Sequence, residues 1–215
     1  MSWCGSKHAV WHEHVNGTMA PVEWRHWLTD RVSLTVKLIA HSEQFRVRKL
    51  AQRRALCTAD EAREIGLARP AMVQEREVLL VCDDAPVVYA HTAVPLTADA
   101  GDWPFFGSLG CRSLGTTLFG DPLVRRGELH YARLSARHPL YARAAAAGGR
   151  SGAPDVAELF ARRCLFRRKG GVLLVTEVFL PAIAALRLRD AGLTPARYVG
   201  GRRYSPKLGI AGKRI

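Results

Sequence analysis

The chain has 215 residues, 48% of them hydrophobic and 24% charged, proportions that fit a soluble globular protein with one sizeable core plus extensions. Its formal net charge is +13, and residues 187–215 supply +7 of it through eight basic residues against Asp190 alone. Such a surplus suits an anionic partner, and no apolar run approaches the roughly 20 residues that a membrane-spanning helix needs. Five cysteines, with no C-x-x-C spacing among them, argue against a disulfide framework and a zinc site. Cys82 and Cys164 fall in strand-like runs and read as small buried hydrophobes. The N-terminus lacks the features of a secretory signal, so a cytoplasmic protein is the default expectation, and nothing demands more than a monomer.

Residues 1–21 read as a poorly ordered leader, with His8, His12 and His14 set among Gly, Asn and Pro as in a solvated terminus rather than a metal cluster. The folded domain is expected over 22–186. Trp24 and Leu28 share a helical face, and Ser33 is placed to cap a second short helix carrying Leu34 and Leu38. The alternation of Val32, Leu34, Val36 and Leu38 leaves a strand open for that stretch. Residues 45–50 alternate partially, as a strand does. Thr58-Ala59-Asp60-Glu61 has the pattern of a capping box and starts a helix to about Leu67. A hairpin follows, with strands over 77–82 and 87–94, a turn at Asp83-Asp84-Ala85-Pro86, and Pro95 as its stop.

Farther on, Asp102 is placed to cap a short helix with Pro104 in its first turn. Residues 113–119 suggest another short helix and 128–134 another strand. Residues 136–154, where an alanine run meets Gly148-Gly149-Arg150-Ser151-Gly152, read as a flexible insertion. A second hairpin, 164–168 and 172–180 about Lys169-Gly170-Gly171, closes the domain. Residues 182–186 extend it as a short helix before the basic extension at 187–215. Hairpins with helices between them indicate an α+β fold on an antiparallel sheet flanked by helices. The βαβ rhythm and the G-x-G-x-x-G of a dinucleotide-binding sheet are absent.

Charges set into two apolar runs stand out. Arg76 opens Arg76-Glu77-Val78-Leu79-Leu80-Val81, and Glu177 interrupts Leu173-Leu174-Val175-Thr176-Glu177-Val178-Phe179-Leu180-Pro181. A carboxylate in such surroundings is costly to bury without a partner or a use. Together they suggest a closed site that holds an anion with Arg76 and handles a proton or hydroxyl with Glu177. The plainer readings are a solvated Arg76 and a Glu177 paired with Arg162, Arg163 or Arg167.

The same segments, with Val94-Pro95, Leu109-Gly110-x-x-x-Leu114-Gly115-x-x-Leu118-Phe119 and Thr176-Glu177-x-Phe179-Leu180-Pro181, resemble chorismate pyruvate-lyases over roughly 22–183. The resemblance implies an antiparallel sheet with the ligand sequestered beneath two helical flaps. It implies a reaction, chorismate to 4-hydroxybenzoate and pyruvate, that serves ubiquinone synthesis and uses neither metal nor cofactor. By the same resemblance Arg76 and the backbone amides of Leu34 and Leu114 hold the ring carboxylate, and Glu177 faces the 4-hydroxyl. His91 stands where such enzymes can carry an Arg for the pyruvyl carboxylate, with Arg162, Arg163 or Arg167 as substitutes. Competing readings are a non-catalytic sensor of small aromatic acids on the same fold, and nucleic-acid binding by the basic tail. The tail's only aromatics, Tyr198 and Tyr204, disfavour the latter.

Overall fold

The computed structural model describes residues 8–98, 100–148 and 157–187, together with the backbone of 197–198. One sheet of seven strands, in the order β4-β5-β6-β3-β2-β1-β7, forms the centre of the molecule. Strands β1 (Gln44–Leu56), β2 (Met72–Cys82), β3 (Ala85–Pro95), β4 (Val124–Ser135), β5 (Glu158–Arg168) and β6 (Gly171–Phe179) pair antiparallel. The two-residue β7 (Arg197–Tyr198) adds in parallel beside Gln44 and Phe45. The α+β architecture and the antiparallel sheet are those expected from the hairpins.

Local chemistry explains the boundaries. The β2–β3 hairpin closes through Asp83 and Asp84, both at positive φ (47° and 66°), the geometry that matches the strands' right-handed twist. Asp83 also accepts hydrogen bonds from the backbone N–H groups of Glu43 and Gln44, both at 2.8 Å. Helix α3 (Ala59–Glu64) starts with the full capping box: Thr58 accepts from the Glu61 N–H, and the Glu61 carboxylate accepts from the Thr58 N–H. It stops three residues short of the expected Leu67.

The helices divide between the sheet's faces. Helices α1 (Val22–Leu28), α2 (Leu34–Ala40) and α4 (Leu114–Gly120) share a core with Val47, Val78, Leu80, Cys164 and Phe166 on one face. On the other face Leu140 and Ala144 of α5 (Pro139–Gly148) pack with Leu79, Tyr89, Leu134 and Val178. Ala62 and Ile65 cover Val73, Ala93 and Leu174 beside them. Cys82 and Cys164 are buried thiols, as read from the sequence. No described helix is long and apolar enough to cross a membrane.

Several expectations are corrected. Arg76 lies in the middle of β2 rather than at its start. Residues 139–148, assigned to a flexible insertion, form helix α5; the remainder of that insertion from 149 lies outside the described residues. Asp102 caps no helix; only a 3-10 turn at Phe106–Ser108 follows it. The N-terminal stretch from His8 is not a loose leader: His12 exchanges two backbone hydrogen bonds with Tyr131, each 2.8 Å, and Thr18 and Ala20 are buried. Gly17 is required there, because a Cβ would sit 2.5 Å from the His12 ring. The expected helix after Pro181 is a 3-10 turn (Pro181–Ala185), and the basic extension lies outside the described residues apart from Arg187 and β7.

Candidate active site

Period-two alternation places the site. In β2, Arg76 faces the α2 and α4 side while Glu75 and Glu77 face the other. Antiparallel partners share a face, and Arg76 pairs with Thr92 while Glu177 pairs with Ala90. Arg76, Thr92, Ala90 and Glu177 therefore line one pocket, with Leu34 and Leu114 above it. The two charged residues are separated by β3, so their backbones stand roughly 10 Å apart, two strand spacings.

Both charges are held firmly. Arg76 is 1% exposed, and its Nη2 donates to the carbonyls of Gly110 (3.1 Å) and Arg112 (2.9 Å) in the loop before α4. Glu177 Oε2 accepts from Arg162 Nε at 2.5 Å. Arg162 is itself 2% exposed, and its Nη1 donates to the carbonyls of Trp27, Leu28 and Asp30. Trp27 and Leu28 are orphan acceptors at the C-terminal end of α1, and Asp30 lies two residues beyond it. One arginine thus fixes the Glu177 carboxylate and anchors the segment that leads into α2. The ion pair that was the plainer explanation of Glu177 exists, and it lies inside the pocket.

Two short helices cover the pocket head to head. Thr35 Oγ1 of α2 and Ser113 Oγ, at the N-cap of α4, lie 2.6 Å apart. Gly115 permits this approach, since an added Cβ would lie 3.3 Å from Thr35 Oγ1 and 3.4 Å from Ser33 Oγ. The first N–H groups of a helix have no intrahelical acceptor, so the starts at Leu34 and Leu114 bring donors to the pocket from both flaps.

A further cation was not foreseen. Arg126 of β4 lines the pocket, donates through Nη1 to the Arg31 carbonyl in the α1–α2 loop, and lies with its guanidinium 5.2 Å from the centroid of Phe119 on α4. It sits in a basic stretch, Arg125-Arg126-Gly127-Glu128, where no single charge stands out. Only its cross-strand partner Phe166, an apolar pocket residue, distinguishes it.

His91 is not in this pocket. It lies between Ala90 and Thr92 and so faces away, paired across the hairpin with Glu77. Its Nδ1 is 2.6 Å from Glu61 and its Nε2 3.0 Å from Glu75, all three groups being buried. Burial alone would lower its pKa, but the Glu61 and Glu75 carboxylates outweigh that and hold it at about 9. Burial would likewise raise the Glu75 pKa, yet hydrogen bonds from His91 and Arg143 bring it to about 2. Glu75, Glu77 and His91 are close enough for a metal site, with ligand atoms within 4.8 Å, but Arg143 Nη1 already bridges the two carboxylates at 2.7 and 2.9 Å. His91 is thus a structural imidazolium. Of the other substitutes, Arg163 also faces this back side, pairing with Glu64.

An antiparallel sheet thus brings Arg76, Arg126, Arg162 and Glu177 into one pocket beneath paired helices. The sequence profile of the chorismate lyase family matches residues 6–186. A protein of Ralstonia nicotianae named probable chorismate pyruvate-lyase is 52% identical over 161 residues, 75% of this chain and 83% of the relative. One of the same name from Cupriavidus metallidurans is 48% identical over 174 residues, 80% of each chain. The chain belongs to the chorismate lyase family, and it is an enzyme of the carbon–oxygen lyase class. Among solved structures, the PhnF C-terminal domain aligns at 15% identity with a TM-score of 0.48, covering 67% of this chain and 87% of that one, a distant likeness on which nothing further rests.

Proposed function

We propose that the protein eliminates pyruvate from chorismate to leave 4-hydroxybenzoate, without metal or redox cofactor, as the first step of ubiquinone precursor supply. The observation that carries this reading is the placement of Arg76 and Glu177 in one buried pocket, on strands two apart, with the flap helices above. The family membership supports it independently. A planar guanidinium held by two carbonyls suits a fixed ring carboxylate, and the amides of Leu34 and Leu114 complete that end. Glu177 faces the 4-hydroxyl end, its carboxylate oriented by Arg162.

The elimination removes the C4 proton, places that electron pair in the ring, and breaks the C3–O bond. The released enolpyruvate takes up a proton to become pyruvate. Aromatisation drives the step, so the protein's task is to orient the dianion, exclude water and offset charge on the leaving group. With His91 turned away, Arg126 is the cation assigned to the enolpyruvyl carboxylate. The product lacks that carboxylate, so Arg126→Gln raises KM for chorismate while leaving the inhibition constant of 4-hydroxybenzoate nearly unchanged. A parallel loss of both affinities in steady-state kinetics would remove this role. The activity itself is tested by incubating the purified protein with chorismate and resolving the products by chromatography. Equimolar 4-hydroxybenzoate and pyruvate are expected; a different hydroxybenzoate would overturn the assigned pose. Binding of 4-hydroxybenzoate without turnover would favour a sensor built on the same sheet.

A further inference from the structure

The charge left unused by the pocket is concentrated at one end of the β1–β2 hairpin. Strand β1 contains five basic residues and no acid. From its bulge onward both faces are wet: Lys49, Arg53 and Arg54 are exposed, and the connection to β2 adds exposed Arg63 and Arg69. The acids in the same region are turned inward and paired. Asp60 contacts His138, Glu61 contacts His91, Glu64 contacts Arg163, and Glu75 contacts His91 and Arg143. The fold thus separates charge, with carboxylates inside and cations outside. Among the described residues no ion pair is found for Lys49, Arg54, Arg63 or Arg69; Arg53 alone reaches a carboxylate, Glu75 at 3.2 Å.

Large aliphatic side chains stand among these cations. Leu50 is 38% exposed, Leu56 59% and Met72 47%, and Leu56 and Met72 are cross-strand partners at the hairpin's end.

We infer that this hairpin end docks the enzyme on an anionic lipid surface. Cations surrounding aliphatic side chains are the composition that binds peripherally at a charged bilayer, where arginines meet headgroups and aliphatics enter the acyl boundary. A nucleic-acid platform would instead set aromatics among the cations for base stacking, and the exposed hydrophobics here are aliphatic. A second copy of the chain at this edge would bring like charges together.

The test is sedimentation of the full chain with phosphatidylcholine vesicles, with and without phosphatidylglycerol, beside binding to a DNA duplex. Expected is binding to the anionic vesicles only, abolished by high salt. Each cation contributes on the order of fivefold, so K49Q/R54Q/R63Q/R69Q lowers vesicle affinity by roughly several hundredfold. L56S/M72S lowers vesicle binding several-fold without affecting DNA binding. Chorismate turnover remains at the wild-type level in both variants. Absence of binding to anionic vesicles would overturn the inference. So would vesicle binding that both variants retain, or DNA binding as tight as vesicle binding.

Discussion

Arg76 carries the heaviest assignment of any side chain in the protein. It is buried in an apolar strand, and its guanidinium donates to two backbone carbonyls. In the proposed pose the ring carboxylate meets this guanidinium, so Arg76→Ala weakens binding of 4-hydroxybenzoate by about 2–5 kcal/mol, roughly thirty- to several thousand-fold in Kd. Titration calorimetry of the two proteins reads this directly, and equal affinities would place the carboxylate elsewhere. Arg76 and Glu177 were legible in the sequence because a charge within a Val/Leu run is anomalous wherever it occurs. Arg162 was legible only as one of several pairing partners, since three arginines stand within six residues and strand phase alone decides which faces the pocket. That phase was available for His91 too: residues that pair across a hairpin share a face, and Arg76 pairs with Thr92. Reading His91 as a ligand residue put it one residue out of phase.

Among the elements, the flap helices α2 and α4 are short and depend on each other. The Thr35–Ser113 hydrogen bond and the bare Gly115 let them meet over the pocket. Gly115→Val drives β-carbon branches into Thr35 and Ser33 and pushes the flaps apart. A displacement of about 1 Å at a positioned site costs on the order of a hundredfold, so kcat/KM falls by about that factor while the sheet's thermal unfolding changes little. Unaltered kinetics would show that the flaps tolerate separation. Ser33 and Ser113 stand at the N-cap positions, but neither side chain makes a capping hydrogen bond. The sequence offered α2 through Ser33 and the Leu34–Leu38 spacing, with a strand left open, and α4 as a short helix over 113–119. It concealed α5, because an alanine run ending in glycines reads equally as loose linker, although alanine is the strongest helix former and Pro139 suits a first helical position. It shortened β1, because from its bulge onward the strand is wet on both faces and shows no alternation.

At the scale of the whole molecule, one sheet separates two kinds of polar chemistry. The α2–α4 face gathers Arg76, Arg126, Arg162 and Glu177 around the pocket, and the back face pairs Glu61, Glu75, His91 and Arg143 with one another. The back face makes stability depend on pH with a definite sign. His91 has a folded pKa near 9 against 6.5 in the unfolded chain, so its contribution is complete below 6.5 and is lost as pH rises through 9. Glu75 has a folded pKa near 2 against 4.5, so its contribution is complete above 4.5 and is lost as pH falls through 2. Thermal stability should therefore peak between those limits, and His91→Gln should flatten the alkaline decline; an unchanged decline would assign it to other groups. Because this network lies on the sheet face away from the Arg76–Glu177 pocket, turnover by the folded fraction is expected to persist in that variant. Deleting residues 187–215, which lie beyond the residues 6–186 that match the family's profile, likewise leaves turnover intact, as chorismate assays on the truncated protein would show.

The central claim is that the Arg76–Glu177 pocket performs the elimination. The direct measurement compares wild type with Glu177→Gln, which keeps a partner for Arg162 while removing the charge. Wild type should form equimolar 4-hydroxybenzoate and pyruvate. The variant should bind 4-hydroxybenzoate but lose about 10²–10⁴-fold in kcat, the usual contribution of a positioned acid–base group. Wild-type turnover in the variant, or no 4-hydroxybenzoate from the wild-type enzyme, would contradict the account.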